Sequence, residues 1–165
     1  MKTNAARILD QKKIAYRIAT YEVEVSDLRA STAAKKLGLP PEQVFKTLVV
    51  RGDKTGVFFV MLAANAALDL KAAAQASGNK RVEMIALKDV LPLTGYIRGG
   101  VSPIGAKKPY HVILDETCIL FSEISFSAGA RGVQIITDPE NLPKVVSVTI
   151  ASIGREPESA AEVED

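Results

Sequence analysis

The feature that most constrains the fold is a pair of apolar segments joined by a short turn. Residues 44–50 (VFKTLVV) and 57–62 (VFFVML) are rich in β-branched and aromatic residues, and the six residues between them (RGDKTG) have the composition of a hairpin turn. Because the second segment is apolar at every position, it predicts a central strand that is covered on both faces. Further strand-like runs are interrupted by short helical ones without a regular βαβ rhythm. The sequence therefore predicts an α/β (α+β) fold, with a mixed, mostly antiparallel, barrel-like sheet flanked by helices.

Several helix boundaries can be predicted from capping and helix-breaking residues. The expected N-caps, in chain order, are Thr3, Ser31 or Thr32, and Asp69. Pro92 is expected to end a helix that begins at Leu87, because proline lacks the backbone N–H that a helix interior requires. Residues 118–121 (CILF) are expected to form a strand.

Length and composition favour one domain without a membrane partner. The chain has 165 residues and no apolar run near the ~20 residues of a membrane span, and its first residues lack the apolar stretch of a signal peptide. We expect residues 1–154 to form the domain and the acidic segment 155–165 (REPESAAEVED) to be a disordered tail. The single cysteine fits a reducing compartment, so the expected localisation is cytoplasmic.

The distribution of charge leaves two interpretations open. Lysine and arginine number 21 against 19 acidic residues, a net charge of +2. Without the acidic tail, the remaining body is visibly basic. These basic residues could bind a polyanion if they share a face, or they could simply form a solvated surface of mixed charge.

Lys46 lies in an unusual place for a charged residue. Strand alternation puts it on the same face as Leu48 and Val50, which are apolar. Such a lysine either extends to solvent from the strand end or meets an anion or another acceptor in a pocket. Because fully buried lysines are rare, the residue types alone favour the solvent-reaching arrangement.

A glycine-rich segment, residues 99–105 (GGVSPIG), predicts a loop of defined shape. Gly99 and Gly100 free the backbone while Pro103 fixes it, so the peptide N–H groups around Val101 and Ser102 could point at a ligand. The segment could be a cradle for an anion or an oxyanion. It could also be a tight connection between two strands, and its composition alone favours this second reading.

The residues of common catalytic and metal sites are scarce. His111 is the single histidine and Cys118 the single cysteine, and no paired acid lies near His111 in the sequence. Multi-residue zinc sites and the glycine-rich motifs that bind nucleotide phosphates are also missing, so we predict no metal and no cofactor. An enzyme of this sequence would have to use backbone donors, a lysine and the groups of its own substrate.

Taken together, several segments resemble the bacterial YbaK/EbsC family, whose members are free-standing relatives of the editing insertion domain of prolyl-tRNA synthetase. The resemblance runs from Thr3 to about Ile153 with its motifs in order. The segments that carry it are Tyr21 and residues 45–50, 68–71, 80–84, 94–96, 99–108 and 129–132.

The resemblance implies hydrolysis of the ester in mischarged Cys-tRNA(Pro), with attack by the substrate's own thiol. The implied partners are the 3′ end of tRNA(Pro) and prolyl-tRNA synthetase. Lys46 would hold the terminal adenosine or its phosphate, and Tyr21 would position the aminoacyl group. The other residues that the resemblance assigns are Gly99, Gly100, Val101, Ser102 and Pro103 at the reacting centre, and Phe45, Tyr96, Arg131 and Asp138 in substrate binding.

Other readings remain at this point. Asp138 can equally be a helix cap, and the segment 22–30 after Tyr21 does not resemble its counterpart in the family, which leaves the substrate amino acid open. Relatives that remove alanine instead of cysteine require a positioned water. A non-catalytic module that binds aminoacyl-tRNA or a synthetase and a small-molecule esterase are the remaining alternatives.

Overall fold

The computed structural model describes residues 2–159 and residue 162. The rest of the predicted tail, residues 160–161 and 163–165, lies outside the described residues. The α-helices are α1 (Asn4–Gln11), α2 (Ala30–Leu37), α3 (Leu70–Ser77) and α4 (Leu87–Thr94), and 3₁₀ turns span Pro41–Gln43, Glu116–Leu120 and Pro139–Lys144. The strands are β1 (Arg17–Thr20), β2 (Phe45–Gly52), β3 (Gly56–Ala63), β4 (Ala67–Leu68), β5 (Val82–Met84), β6 (Val112–Asp115), β7 (Ile124–Ala130), β8 (Val133–Thr137), β9 (Val148–Ala151) and β10 (Gly154–Arg155).

The strands of the described chain form three sheets of different size. The largest has the order β5-β2-β3-β6-β9; β2 pairs antiparallel with β3 and β5, whereas β6 pairs parallel with both β3 and β9. A second sheet has the order β1-β8-β7, and β4 pairs with β10. The predicted mixed helix-and-sheet class is confirmed, and within the described residues the sheets do not close into a barrel.

The β2–β3 hairpin lies at the centre of the molecule and separates two hydrophobic clusters. One face of the hairpin packs into the larger cluster with α1, β7 and β8, and the other packs against α3. Phe59 and Met61 point into the first cluster, and Val60 and Leu62 into the second; all four are fully buried. The prediction of a central strand that is apolar on both faces is therefore confirmed.

Two of the predicted helix caps are confirmed and one is wrong. The side chains of Thr3 and Asp69 accept hydrogen bonds from the first turns of α1 and α3. However, α2 begins before Ser31 and Thr32, and its N-cap is Arg29, which makes no side-chain capping bond. Thr32 instead donates its hydroxyl hydrogen to Asp27 at 2.7 Å, within the loop that precedes the helix.

Two other local predictions also fail. Helix α4 continues through Pro92 to Thr94, because the helix is short and loses only one intrahelical bond at this exposed residue. Residues 118–121 are not a strand, because Asp115 accepts the N–H of Thr117 and starts the 3₁₀ turn Glu116–Leu120. No helix of the described chain is long and apolar enough to cross a membrane.

Candidate active site

A cavity of about 250 Å³ lies beside strand β2, bounded by α2, α4, the strands β7 and β8, and the loop between α4 and β6. This loop contains the glycine-rich segment, so the segment joins a helix to a strand and the predicted strand-to-strand connection is wrong. Of the residues predicted for the site, those that line the cavity are Tyr21, Phe45, Lys46, Gly99 and Val101.

The wall formed by β2 is a strand edge with incomplete pairing. Strand β5 covers this edge only at Val50–Gly52, and the carbonyl of Val49 accepts the N–H of Ile85 at 3.0 Å. Because alternate residues of a strand direct their backbone groups to opposite neighbours, the N–H and C=O of Thr47 point to the same side as those of Val49. The cavity therefore receives backbone donors and acceptors from the uncovered part of β2.

Lys46 is buried, with 6% of its surface exposed. Its ammonium donates to the carbonyl oxygen of Ala66 at 2.7 Å and to that of Ala64 at 3.4 Å. Both carbonyls belong to the turn that follows β3, which brings acceptors to the apolar strand face. The solvent-reaching arrangement favoured by the residue types is therefore wrong, and Lys46 has the acceptor-bound arrangement.

Thr47 is a cavity residue that the sequence analysis missed. Its Oγ1 is the one buried side-chain oxygen or nitrogen of the described residues that has no hydrogen-bond partner. A buried hydroxyl without a partner is costly, and such groups are uncommon in native proteins. The signal in the sequence was a threonine at an inward position between Phe45 and Val49.

The glycine-rich loop presents some of its predicted residues to the cavity and buries the others. Gly99 and Val101 line the cavity, whereas Gly100, Ser102 and Pro103 are buried without lining it. The N–H of Gly100 donates to the carbonyl of Ile97 at 2.9 Å, and Ser102 Oγ accepts the N–H of Ile104 at 3.3 Å. Among the described residues, no acceptor takes the amide hydrogen of Val101.

Tyr96 and Arg131 hold this loop in place and do not line the cavity. The Tyr96 hydroxyl donates to the carbonyl of Ile104 at 2.6 Å, and burial raises the pKa of Tyr96. Its ring lies against Gly129, where an added Cβ would come within 2.8 Å of a ring carbon. Arg131 Nε donates to the carbonyl of Arg98 at 2.8 Å, which ties the β7–β8 turn to the loop.

Tyr21 and Asp138 have different surroundings. Tyr21 lines the cavity just after β1, and its N–H donates to the carbonyl of Gly132 at 3.0 Å. Asp138 lies outside the cavity lining and accepts the N–H of Glu140 at 2.9 Å, at the start of a 3₁₀ turn. The structure thus gives Asp138 the capping position that the sequence allowed.

Ser127 and Gln134 are two further cavity residues that the sequence analysis missed. They lie directly opposite each other on β7 and β8. Gln134 Oε1 accepts the hydroxyl hydrogen of Ser125 at 2.8 Å, and Ser127 Oγ accepts the N–H of Gly129 at 3.1 Å. Only the polar residues at inward positions of these two apolar runs could have indicated them.

The single histidine and the single cysteine both lie outside this cavity. The two ring nitrogens of His111 are hydrogen-bonded to the hydroxyls of Ser147 and Thr149, at 2.7 and 2.8 Å. Burial, together with the carboxylate of Asp115, raises the pKa of the Cys118 thiol to about 11. The thiol is therefore protonated at neutral pH.

Comparison with known proteins identifies relatives along most of the chain. The model of the aminoacyl-tRNA editing domain family matches residues 26–145. An Enterococcus faecalis protein named "Putative Cys-tRNA(Pro)/Cys-tRNA(Cys) deacylase EbsC" is 44% identical over 152 residues, which are 92% of this chain and 93% of that protein. The Bacillus subtilis protein YwhH, uncharacterized by its name, is 31% identical over 121 residues, 73% of this chain and 76% of its own.

Solved structures share the fold. A structure described as a "putative trans-editing enzyme for prolyl tRNA synthetase" superposes with a TM-score of 0.79 at 24% identity, covering 94% of this chain and 99% of the other. The hypothetical protein APE2540 gives a TM-score of 0.81 at 19% identity, covering 91% and 98%. The family match and the 44% identical relative together show that this chain belongs to the aminoacyl-tRNA editing domain family.

Proposed function

We propose that this protein is an aminoacyl-tRNA deacylase that hydrolyses the ester of mischarged Cys-tRNA(Pro). The observation that carries the proposal is the 44% identity, over 92% of the chain, to a protein named as a deacylase of cysteinyl-tRNA. The cavity supports it, because a lysine, an unpaired hydroxyl and uncovered backbone groups meet there. Such mischarging is physically expected, since a pocket made for proline discriminates poorly against a smaller amino acid.

In this proposal, Lys46 and two aromatic residues bind the substrate. Lys46 holds the terminal adenosine or its phosphate, and the carbonyls of Ala64 and Ala66 orient the ammonium before substrate arrives. Tyr21 and Phe45 form the adjoining wall, where they position the aminoacyl group.

Backbone amides stabilise the charge that develops on the ester oxygen. The proposed donors are the N–H groups of Gly99 and Val101, because both residues line the cavity. Donors fixed before the reaction are effective because they need no reorganisation as the charge develops. Gly100, Ser102, Pro103, Tyr96 and Arg131 contribute by fixing the shape of the loop that carries them.

The nucleophile in this proposal is the thiol of the substrate cysteine. Its thiolate attacks the ester carbonyl carbon and forms a C–S bond in a four-membered thiolactone. The C–O bond to the ribose breaks, the 3′ oxygen takes up a proton, and water later opens the thiolactone to free cysteine. A thiol is partly ionised and strongly nucleophilic near neutral pH, so no nucleophile from the protein is required.

Partners and compartment follow from this substrate. We propose that prolyl-tRNA synthetase associates with the protein and supplies selection of the tRNA, in the cytoplasm. Basic residues, of which Arg98 lines the cavity, contact phosphates of the tRNA. Binding of tRNA is therefore expected to weaken as salt rises.

The proposal is tested by deacylation of Cys-tRNA(Pro), Ala-tRNA(Pro) and Pro-tRNA(Pro) with the native chain at fixed salt. The expected result is rapid loss of the cysteinyl ester only, and survival of an S-methylcysteinyl ester in which the thiol is blocked. Cleavage of the S-methylcysteinyl ester at the native rate would show that water, and not the substrate thiol, attacks the ester. Survival of all three tRNA esters would refute the deacylase.

A further inference from the structure

The ammonium of Lys46 is held by a turn whose position depends on the C-terminal strand. Its 2.7 Å acceptor, the carbonyl of Ala66, immediately precedes β4. Within the described chain, β4 pairs only with β10, and the N–H of Asp69 donates to the carbonyl of Ile153 at 2.8 Å. The turn that orients Lys46 is therefore attached to residues more than 80 positions further along the chain.

Asp115 fixes the start of that C-terminal strand. Its side chain is buried, with 4% of the residue exposed, and Oδ1 accepts the N–H groups of Ile153 and Gly154, both at 2.9 Å. The other oxygen, Oδ2, accepts the N–H of Thr117 at 3.2 Å and its hydroxyl hydrogen at 2.6 Å. Oδ1 thus binds the start of β10, and Oδ2 binds the 3₁₀ turn Glu116–Leu120.

The Asp115 carboxylate and the turn that contains Ala66 both lie close to Gly154 of β10. A Cβ added at Gly154 would lie 3.4 Å from Asp115 Oδ1 and 3.6 Å from the Cβ of Ala66. The carboxylate and the turn therefore border the position that a side chain at residue 154 would occupy. A shift of β10 would be transmitted directly to the carbonyl that binds Lys46.

We propose that Asp115 is a positioning residue for Lys46, acting through β10 and the turn that contains Ala66. This inference rests on the proposed function, in which Lys46 contacts the substrate. Loss of the Oδ1 acceptor releases β10, and the Lys46 ammonium loses its fixed direction. Because small displacements of a positioning group weaken its action strongly, we expect about a tenfold loss of ligand affinity.

The test is a double-mutant cycle on equilibrium binding. The probe is adenosine that carries cysteine at its 3′ position through an amide, which the enzyme cannot cleave as an ester. Asp115→Ala is expected to raise the Kd about tenfold in the native background and less than twofold in the Lys46→Ala background. An equal fold-increase in the Kd in both backgrounds would overturn the inference, because a general structural effect does not depend on Lys46.

Two further variants separate positioning from loss of structure. Asp115→Asn keeps an oxygen acceptor for the strand and is expected to restore the Kd to within twofold of the native value. Thr117→Val removes a hydroxyl donor to the other carboxylate oxygen and is expected to leave the Kd unchanged. A tenfold increase in the Kd with Thr117→Val would overturn the inference.

A substitute variant allows for misfolding, and the deacylation result separates the proposed function from the positioning role of Asp115. If Asp115→Ala does not fold, Asp115→Glu takes its place in the cycle, because it keeps the charge and displaces the acceptor by one methylene. A native chain that leaves Cys-tRNA(Pro) intact would refute the proposed function and this inference together. If the native chain cleaves it but Asp115→Ala raises the Kd equally in both backgrounds, the inference alone is refuted.

Discussion

The two halves of strand β2 differ in how their outer edge is covered. At Val50–Gly52 the strand is paired with β3 on one side and with β5 on the other. At Phe45–Leu48, β5 does not cover the side away from β3, and this part of the strand lines the cavity instead. We call Phe45–Leu48 the open half, and Val50–Gly52 with the adjoining hairpin turn at residues 53–55 the closed half. The chain is continuous through both, so the difference comes from what their surroundings supply.

The two halves also differ in whether every buried side-chain polar group has a hydrogen-bond partner. Beside Gly52, the Asn79 side chain makes four hydrogen bonds, which join the hairpin turn to the end of α3. In the open half, the Thr47 hydroxyl is buried without a partner. Local rules are commonly broken at functional sites and obeyed elsewhere, so we expect the closed half to control stability and the open half to control activity.

The largest expected effect is that of Lys46→Ala in the open half. We expect deacylation of Cys-tRNA(Pro) to fall at least about 100-fold, because in the proposed function this lysine, oriented by the turn carbonyls, is the positive group that holds the substrate. Lys54→Ala, in the exposed hairpin turn of the closed half, is the matched control and should keep full activity. A folded Lys46→Ala protein with native activity, judged by circular dichroism and single-turnover rates, would contradict the comparison.

Gly52→Ala should affect stability and leave activity unchanged. An added Cβ at Gly52 would lie 2.1 Å from Asn79 Nδ2, and the four hydrogen bonds of that side chain prevent it from moving aside. We expect the free energy of unfolding in urea to fall by about 2 kcal/mol.

The control for Gly52→Ala is the same change in an Asn79→Ala background, where the new methyl group has room. There the additional loss of unfolding free energy should be small. A native stability for the single variant, or a tenfold slower deacylation by its folded fraction, would show that the closed half does not have the assigned role.

Thr47→Val, in contrast to Gly52→Ala, should weaken substrate binding without lowering stability. It removes a buried hydroxyl that has no partner, so the free energy of unfolding should stay constant or rise by about 1 kcal/mol. If the hydroxyl bonds to the substrate, the KM for Cys-tRNA(Pro) should rise about threefold to tenfold.

Thr55→Val is the matched control in the closed half, because the Thr55 hydroxyl accepts a hydrogen bond from Asn79 Nδ2 at 2.9 Å. It should lower stability and leave the KM unchanged. If both valine variants changed the same quantity, the distinction between the two halves would be lost.

The smallest expected effect is a pH dependence in the closed half. Backbone N–H groups of Arg81 and Lys80 donate to Asp53 and hold the pKa of its carboxyl below the usual value. A lowered folded-state pKa adds stability above the unfolded-state pKa and loses it as pH falls through the folded-state value. Unfolding free energy measured from about pH 5 downward should therefore fall less steeply in Asp53→Asn than in the native chain. Identical slopes would exclude this contribution.

The sequence predicted the parts of this comparison that depend on local pattern. The hairpin and its apolar central strand follow from alternation and turn composition, and the caps of α1 and α3 from single residues. The resemblance to a known family directed attention to Lys46 and to the glycine-rich loop, and of these Lys46, Gly99 and Val101 line the cavity.

The features that were missed depend on contacts between distant segments. The open edge of β2 exists because β5 is only three residues long, and the pairing of Ser127 with Gln134 depends on the register of β7 and β8. The acceptors of Lys46 lie in a turn 18 and 20 residues further along the chain. Strand alternation places a side chain on a face but does not show what that face meets.

The central claim is that the open half of β2 is the binding surface for the aminoacyl end of tRNA. The most direct test is a nuclear magnetic resonance titration of the ¹⁵N-labelled native chain with the amide analogue of 3′-cysteinyl adenosine. The account predicts that the amide signals of Thr47, Gly99 and Val101 shift, while those of Val50–Gly52 stay in place. Shifts confined to the closed half, or to residues around His111, would contradict it.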